Sequence, residues 1–382
     1  MVSVIAKYGR MGNKRVILII CVLCFSCIRH SDESGENQEY WPNPSQKSEI
    51  HYAKGFDIQY QADLTLIITQ SLSGNTPFKD SLYLPYNKNA AIPKTAKVLQ
   101  YEKVTVACQS STHLAFLKKL KELDKLKGVC GMEYIEDRDL LSDLEKKAVR
   151  EICIGEALQK ETLLELSPDL YLIYPFSSEE KDQIEKDGIK TLMIGEYLET
   201  HPLARLEWIK LFGEIYSKND MASQYFDEVE KEYNSLKIDQ PDTSKKFIFN
   251  VPYGDSWYTP SSNSLVVTLL EDAGLYYYFQ NEIGTENTPH TKEEIWLTGE
   301  NVPYWVIIAS RPDHFTLNDL IEEEPVYKTF KSVKNGNVIF CNTATSNYFI
   351  DGVVEPHVML RELKSAVNGE IINDPHYFEI LR

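Results

Sequence analysis

The sequence predicts an α/β protein of two Rossmann-like lobes joined by a single long helix, with a ligand cleft between the lobes. Three observations predict it. The chain has 382 residues, room for two cores rather than one. Short apolar strands alternate with helical periods in both halves, the rhythm of parallel βαβ units. Between the halves lies a stretch, 202–237, that keeps helical spacing and offers no strand.

The first segment is an address. Lys14 and Arg15 precede the apolar run Val16 to Phe25, which is shorter than the about 20 residues a membrane span needs. The run ends in Leu23-Cys24-Phe25-Ser26-Cys27, where a small residue directly precedes a cysteine. Residues 1–27 are expected to be a signal peptide with a lipobox-like end, and Cys27 the lipidated residue. An ordinary cleaved signal and an uncleaved anchor are the alternatives. Met11 is a second candidate start, because Met11-Gly-Asn-Lys-Arg makes the more usual charged n-region. Residues 28–50 are polar and lack periodicity, so a flexible tether is expected there.

An N-terminal lobe is expected over 51–219. Phe56–Tyr60, Leu64–Thr69, Ser81–Pro85 and Lys103–Ala107 read as strands, with a turn at Ser71–Asn75. Leu114, Leu117, Leu120 and Leu123 recur at close to helical spacing, with Gly128 as the stop. Lys160–Leu166 and Ser178–Lys186 read as helices, Leu170–Tyr174 and Thr191–Ile194 as strands. Pro202 suits a first helical turn. Asp220 is a candidate N-cap for a bridging helix over 220–240. A C-terminal lobe over 241–382 repeats the rhythm. Its strands are Lys246–Val251, Tyr304–Ile308 and Asn337–Phe340. Its helices are Ser264–Ala273, one starting at Glu293–Leu297, and a closing helix Val353–Val367.

The formal net charge of −17 removes the basic footprint of a nucleic-acid binder, so no nucleic-acid partner is expected. Of seven cysteines, 108, 130, 153 and 341 lie beyond the leader and show no metal-ligand spacing. Pairing is open to them in an exported protein; buried free thiols are the favoured reading. The chain has no GxSxG, P-loop, HExxH or dinucleotide-binding glycine pattern. His113, His290, His314 and His357 are scattered, so no metal site, cofactor or enzymatic activity is expected. Aromatic residues are more informative: there are 23 tyrosines. One loop, Val251-Pro-Tyr-Gly-Asp-Ser-Trp257-Tyr258, follows a strand directly, where α/β lobes bind ligands. Trp257 there either packs the loop or offers a flat face to a large planar ligand.

Several segments in order resemble a known family. They are Tyr52-Ala-Lys-Gly-Phe56, Ser110-Ser-Thr-His113, Glu161-Thr-Leu-Leu-Glu-Leu-Ser-Pro-Asp-Leu170, the run from Glu196 to Lys210, Tyr253-Gly-Asp-Ser-Trp-Tyr258 and Gly352-Val-Val-Glu-Pro356. Together, over roughly 50 to 370, they resemble the class III solute-binding proteins of iron–siderophore, haem and cobalamin ABC importers. The resemblance implies a monomeric binding protein, not an enzyme, that captures a metal chelate as transported ligand and delivers it to a permease dimer with its ATPase. It implies ligand contacts at Ser110, Ser111 and Thr112 on the N-terminal lobe, and at Trp257, Tyr258 and Tyr348 on the C-terminal lobe. It also implies that Glu161 and Glu293, one per lobe, dock on permease arginines. With the leader, it implies an exported protein held by lipid in the periplasm of a Gram-negative bacterium. The alternative is a surface-exposed lipoprotein that passes the chelate to an outer-membrane receptor. The family's glycine-rich stretch after Trp-Tyr is here Thr259-Pro-Ser-Ser-Asn-Ser264, and its Ala-Gly-Gly is Ala273-Gly-Leu275 followed by three tyrosines. These departures fall near the expected cleft and bear on the ligand.

Overall fold

The computed structural model describes residues 40–72, 77–101, 104–155, 157–175 and 178–382. The expected signal peptide 1–27, its lipidation residue Cys27, the first part of the tether (28–39), most of the Ser71–Asn75 turn and Lys103 lie outside the described residues.

Two five-stranded sheets form the lobes. In the N-terminal lobe the spatial order is Lys190–Met193, Leu170–Ile173, Val106–Cys108, Leu126–Val129, Arg150–Glu151, and every pairing is parallel. Leu170–Ile173 is buried at all four positions, as a strand covered on both faces must be. A separate antiparallel sheet of Phe56–Tyr60, Leu64–Gln70 and Lys79–Pro85 stands beside it. In the C-terminal lobe the order is Tyr276–Tyr277, Lys246–Phe249, Tyr304–Ala309, Val338–Asn342, Glu379–Ile380. The first four are parallel, and the last closes the edge antiparallel. Ser256–Pro260 and Asn287–Thr291 pair as a short ribbon.

Three helices connect the sheets: Pro202–Glu207, Ile209–Ile215 and Asn219–Leu236. The last has 18 residues and spans about 27 Å. Its Ala222, Phe226, Val229 and Tyr233 are buried, a stripe at helical spacing, and it packs along the closing helix Pro356–Val367. The apolar cores of the two lobes are continuous through this helix. Smaller clusters cover the other face of each sheet.

Several sequence expectations change. The tether is not flexible throughout: Trp41 is buried and its indole N–H donates to the Leu99 carbonyl at 3.1 Å, and Ser48 is buried too. The helix expected through Leu123 stops at Lys119; Leu123 opens a separate turn, and both it and Leu120 still pack on the core. Gly128 is not a stop. It lies inside the strand Leu126–Val129, where a Cβ would come within 2.6 Å of Ile152. Asp220 is not the N-cap, because the helix already begins at Asn219 and Asp220 sits in its first turn. The closing helix is interrupted at Glu355, before Pro356, into Asp351–Val354 and Pro356–Val367. Cys130 and Cys153 form a disulfide, with 4.9 Å between Cα atoms, while Cys108 and Cys341 are buried free thiols. Burial pushes the Cys341 thiol up to about 12.

Buried glutamates tie the chain's start to the connecting helices. The Glu207 carboxylate accepts the backbone N–H groups of His51, Tyr52 and Ala53 at 2.9, 2.7 and 2.8 Å, and Lys210 Nζ at 2.9 Å. Glu199 accepts Lys54 N, Gly55 N and the Trp208 indole at 3.0, 2.9 and 3.1 Å. Gly55 is required there, since a Cβ would lie 2.7 Å from the Trp208 ring. Glu207→Ala leaves three backbone donors and a buried ammonium without an acceptor. It is expected to lower unfolding free energy by about 3–5 kcal/mol, read by urea denaturation.

Candidate functional site

Each sheet has a point where successive strands leave in opposite directions, and ligands of such sheets bind at the strand carboxyl ends there. In the N-terminal lobe that point lies between Val106–Cys108 and Leu170–Ile173, followed by the loops starting at Gln109 and Tyr174. In the C-terminal lobe it lies between Lys246–Phe249 and Tyr304–Ala309, followed by the loops starting at Asn250 and Ser310. Contacts between such loops bring the two ends together. Asn347, after the strand Val338–Asn342, donates to Asp137 Oδ2 at 3.2 Å and to Asp351 Oδ2 at 3.0 Å. Asp137 follows the strand Leu126–Val129 and caps the helix Arg138–Lys146 through its other oxygen. Lys118 Nζ reaches Asp351 at 2.9 Å and Asp137 at 3.4 Å. Elsewhere Thr268 donates to the Thr200 carbonyl at 2.9 Å.

The N-terminal side of this junction is a polar network. Ser110 is buried and caps the turn Ser111–His113, its Oγ accepting Thr112 N at 3.2 Å and lying 2.8 Å from Thr112 Oγ1. Thr112 donates to Glu196 Oε1 at 2.7 Å. Glu196 is fully buried; Arg205 Nη2 approaches its Oε1 at 3.4 Å, and His113 Nε2 its Oε2 at 3.6 Å. Burial pushes the Glu196 carboxyl up, but His113, Arg205 and Thr112 outweigh it and hold the group at about 2. Tyr174 hydrogen-bonds Ser110 and stands edge-on to Tyr197, ring centres 5.4 Å apart. Both phenols are pushed up by burial and by the Glu196 charge.

The structure brings Ser110, Ser111 and Thr112 together, with Ser111 and Thr112 half-exposed. Trp257 is a correction. It has no exposed surface; its indole N–H donates to the Phe249 carbonyl at 2.8 Å, and its ring packs against Trp305 and Tyr327. It therefore fills the core beneath the loop and offers no face to a ligand. Tyr258, one residue on, points to the other face of the ribbon and is 44% exposed. Tyr348 is half-buried, edge-on to the exposed Phe349 at 5.2 Å, and feels the Arg205 charge. Glu161 and Glu293 are exposed in the first turns of Lys160–Leu166 and Lys292–Gly299, one in each lobe.

Sequence reasoning missed Tyr134, Tyr253, Phe349 and Arg205. The first three are exposed aromatics in loops after strand carboxyl ends. Tyr253 had a readable signal: Gly254 follows at φ +59°, so Tyr253-Gly254 is a turn that lifts Tyr253 to 83% exposure. Among the described residues, the one cluster with metal-ligand proximity is Cys130, Glu151 and Cys153. Its thiols are joined to each other, and Glu151 accepts the N–H groups of Gly131, Met132 and Cys153.

Two outcomes test this geometry. Trp257→Ala is expected to cost about 3–5 kcal/mol of stability in a denaturant titration, as a core truncation does. Glu196, with its folded value depressed, contributes stability that is present above its ordinary value of 4.5 and is lost as pH falls towards about 2. Glu196→Gln should therefore remove that segment of the acid-unfolding profile, seen by comparing unfolding free energies of the two proteins across this range.

A family model described as periplasmic binding protein matches residues 106–345. An uncharacterised lipoprotein of Methanocaldococcus jannaschii is 26% identical over 357 residues, covering 86% of this chain and 84% of that one. Among solved structures, a periplasmic haem-binding protein of Vibrio cholerae superposes with a TM-score of 0.55 at 16% identity, covering 70% of this chain and 98% of that one. A periplasmic catecholate-siderophore binding protein of the same organism gives 0.55 at 14% identity, covering 70% and 95%. These structural likenesses show the fold, and the family match takes in both switch points and the helices that join them. The chain belongs to the periplasmic binding protein family.

Proposed function

We propose that this protein is the binding component of an ABC importer, holding one metal chelate (an iron siderophore or haem) or cobalamin between its lobes and delivering it to the permease. The observation that carries the reading is the meeting of two strand-end loop layers over a floor of hydroxyl and aromatic groups. Ser111, Thr112, Tyr174, Tyr197 and Tyr348 bring hydroxyl groups to these loops, and Tyr134, Tyr253 and Phe349 are exposed rings in strand-end loops of the two lobes. A large, partly planar guest fits such a surface, because aromatic rings give contact area with little rotamer entropy to lose.

Among the described residues, the cations at these loops are already paired. Arg311, after the strand Tyr304–Ala309, meets Glu323 at 2.9 Å, Lys118 meets Asp351 at 2.9 Å, and Arg205 meets Glu196 at 3.4 Å. The surface therefore favours a chelate of low net charge over a ferric tris-catecholate, which calls for several guanidinium or ammonium groups. The solved relatives are described as binding haem and a catecholate siderophore, and with its cations already paired this chain suits haem or cobalamin better than the latter.

Lipid anchoring through Cys27 belongs to the same proposal. It is supported by the leader and by the description of the archaeal relative as a lipoprotein. The periplasm of a Gram-negative bacterium is part of this proposal, supported by the family resemblance together with the leader. Glu161 and Glu293 would steer the loaded protein onto basic permease surfaces, a role in which exposed carboxylates set orientation and encounter rate more than affinity. Equilibrium dialysis of the soluble domain against haemin, cyanocobalamin, a ferric hydroxamate and a ferric catecholate tests the reading. One chelate retained per chain, recovered unchanged and with the catecholate weakest, is the expected result; no retention of any of them would overturn it.

A further inference from the structure

Arg205 has more donor capacity than the protein uses. Among the described residues its buried Nε has no hydrogen-bond partner, and the guanidinium makes one hydrogen bond, the long 3.4 Å contact from Nη2 to Glu196. The side chain keeps 19% of its surface exposed. Glu196 does not depend on Arg205 alone, since Thr112 donates to it at 2.7 Å and His113 stands 3.6 Å away. The guanidinium is thus paired with one buried carboxylate through a single long contact, in a setting where low dielectric strengthens any further pairing.

Its position is equally specific. Arg205 lies on Pro202–Glu207, the N-terminal-lobe helix that packs against the C-terminal-lobe helices Asp351–Val354 and Leu265–Asp272. Its partner Glu196 also accepts Thr112, from the switch-point loop of one lobe, while its helix packs on Asp351–Val354, which follows a strand-end loop of the other. Arg205 therefore sits where both loop layers converge.

We infer that Arg205 is the anion anchor of the cleft, pairing with a single oxyanion, carboxylate or phosphodiester, on the bound chelate. The inference rests on the chelate reading and deepens it. Glu196 holds the guanidinium through Nη2, and a ligand oxygen pairs with the part of the side chain that stays exposed. A planar fork of donors matches either oxyanion in two-point contact, which a lysine would not. One anchor selects for one anionic group, in keeping with the pairing of Arg311 and Lys118 at these loops.

The test pairs ligands that carry the anion with ligands that lack it. Haemin is compared with its dimethyl ester, and cyanocobalamin with dicyanocobinamide, which lacks the phosphodiester together with the ribose and benzimidazole, so the dependence of the preference on Arg205 is what is read. Each is titrated into the wild type, Arg205→Gln, and the double variant Arg205→Gln/Glu196→Gln, which leaves no buried carboxylate without its partner. The wild type is expected to prefer the anion-bearing member of one pair at least tenfold, and both variants to lose that preference while still binding the neutral member. The pair that shows the effect identifies the source as carboxylate or phosphodiester. Citrate and inorganic phosphate are titrated alone in parallel by isothermal calorimetry. If no chelate binds but these anions bind in an Arg205-dependent manner, the anchor stands and the chelate reading falls. If chelates bind and the variants keep the wild-type preference, or no preference exists, the anchor falls and the chelate reading stands. If neither chelate nor anion binds, both fall.

Discussion

Four glutamates between 196 and 214 are taken out of water, and the architecture follows from how each is satisfied. A buried carboxylate is tolerated only where donors converge on it. Glu207 and Glu199 therefore gather the backbone of residues 51–55 onto the connecting helices. Glu214 draws in Ser48, Tyr60 and Asn219, linking the segment before the first strand, that strand, and the start of the long helix. Glu196 gathers Thr112, His113 and Arg205 under the cleft. One short stretch of chain thus fastens the N-terminal lobe to the helices that reach the C-terminal lobe.

That fastening has a mechanical consequence. The apolar core runs unbroken from one lobe through Phe226, Val229 and Tyr233 into the other. Tyr233 also donates to Asp272 at 2.6 Å, and Tyr225 to the Val354 carbonyl at 2.9 Å. Lobes joined through packed helices and a shared core cannot swing as freely as lobes joined by extended strands, because close-packed interiors resist continuous deformation. Recognition then depends on side chains already in place along the cleft rather than on a large closure.

Trp257 and Tyr253 show how a correct loop can carry a wrong residue. The loop after Lys246–Phe249 does lie at the strand carboxyl end, as its sequence predicts. A tryptophan, however, removes more apolar surface from water than any other side chain, and a cavity between Trp305 and Tyr327 takes it. The tyrosine at the turn before it is left exposed. Ser110 follows the same logic: it is in the expected place, but its hydroxyl is engaged by Thr112 and Tyr174, leaving Ser111 and Thr112 as the half-exposed members of the set.

The sequence by itself determined the α/β class, three strands of each five-stranded sheet, the antiparallel strands of the first lobe, the helical stretch between the lobes and the placement of candidate loops at strand ends. These rest on local periodicity, turn residues and apolar runs, which act over a few positions and are written along the chain. The tertiary structure alone decided that Cys130 pairs with Cys153, that Trp41 and Ser48 leave the tether for the core, that Trp257 turns inward, and that the helix carrying Arg205 packs against helices of the other lobe. Each depends on groups distant in sequence meeting in space, where burial and the satisfaction of polar atoms, not local pattern, set the outcome.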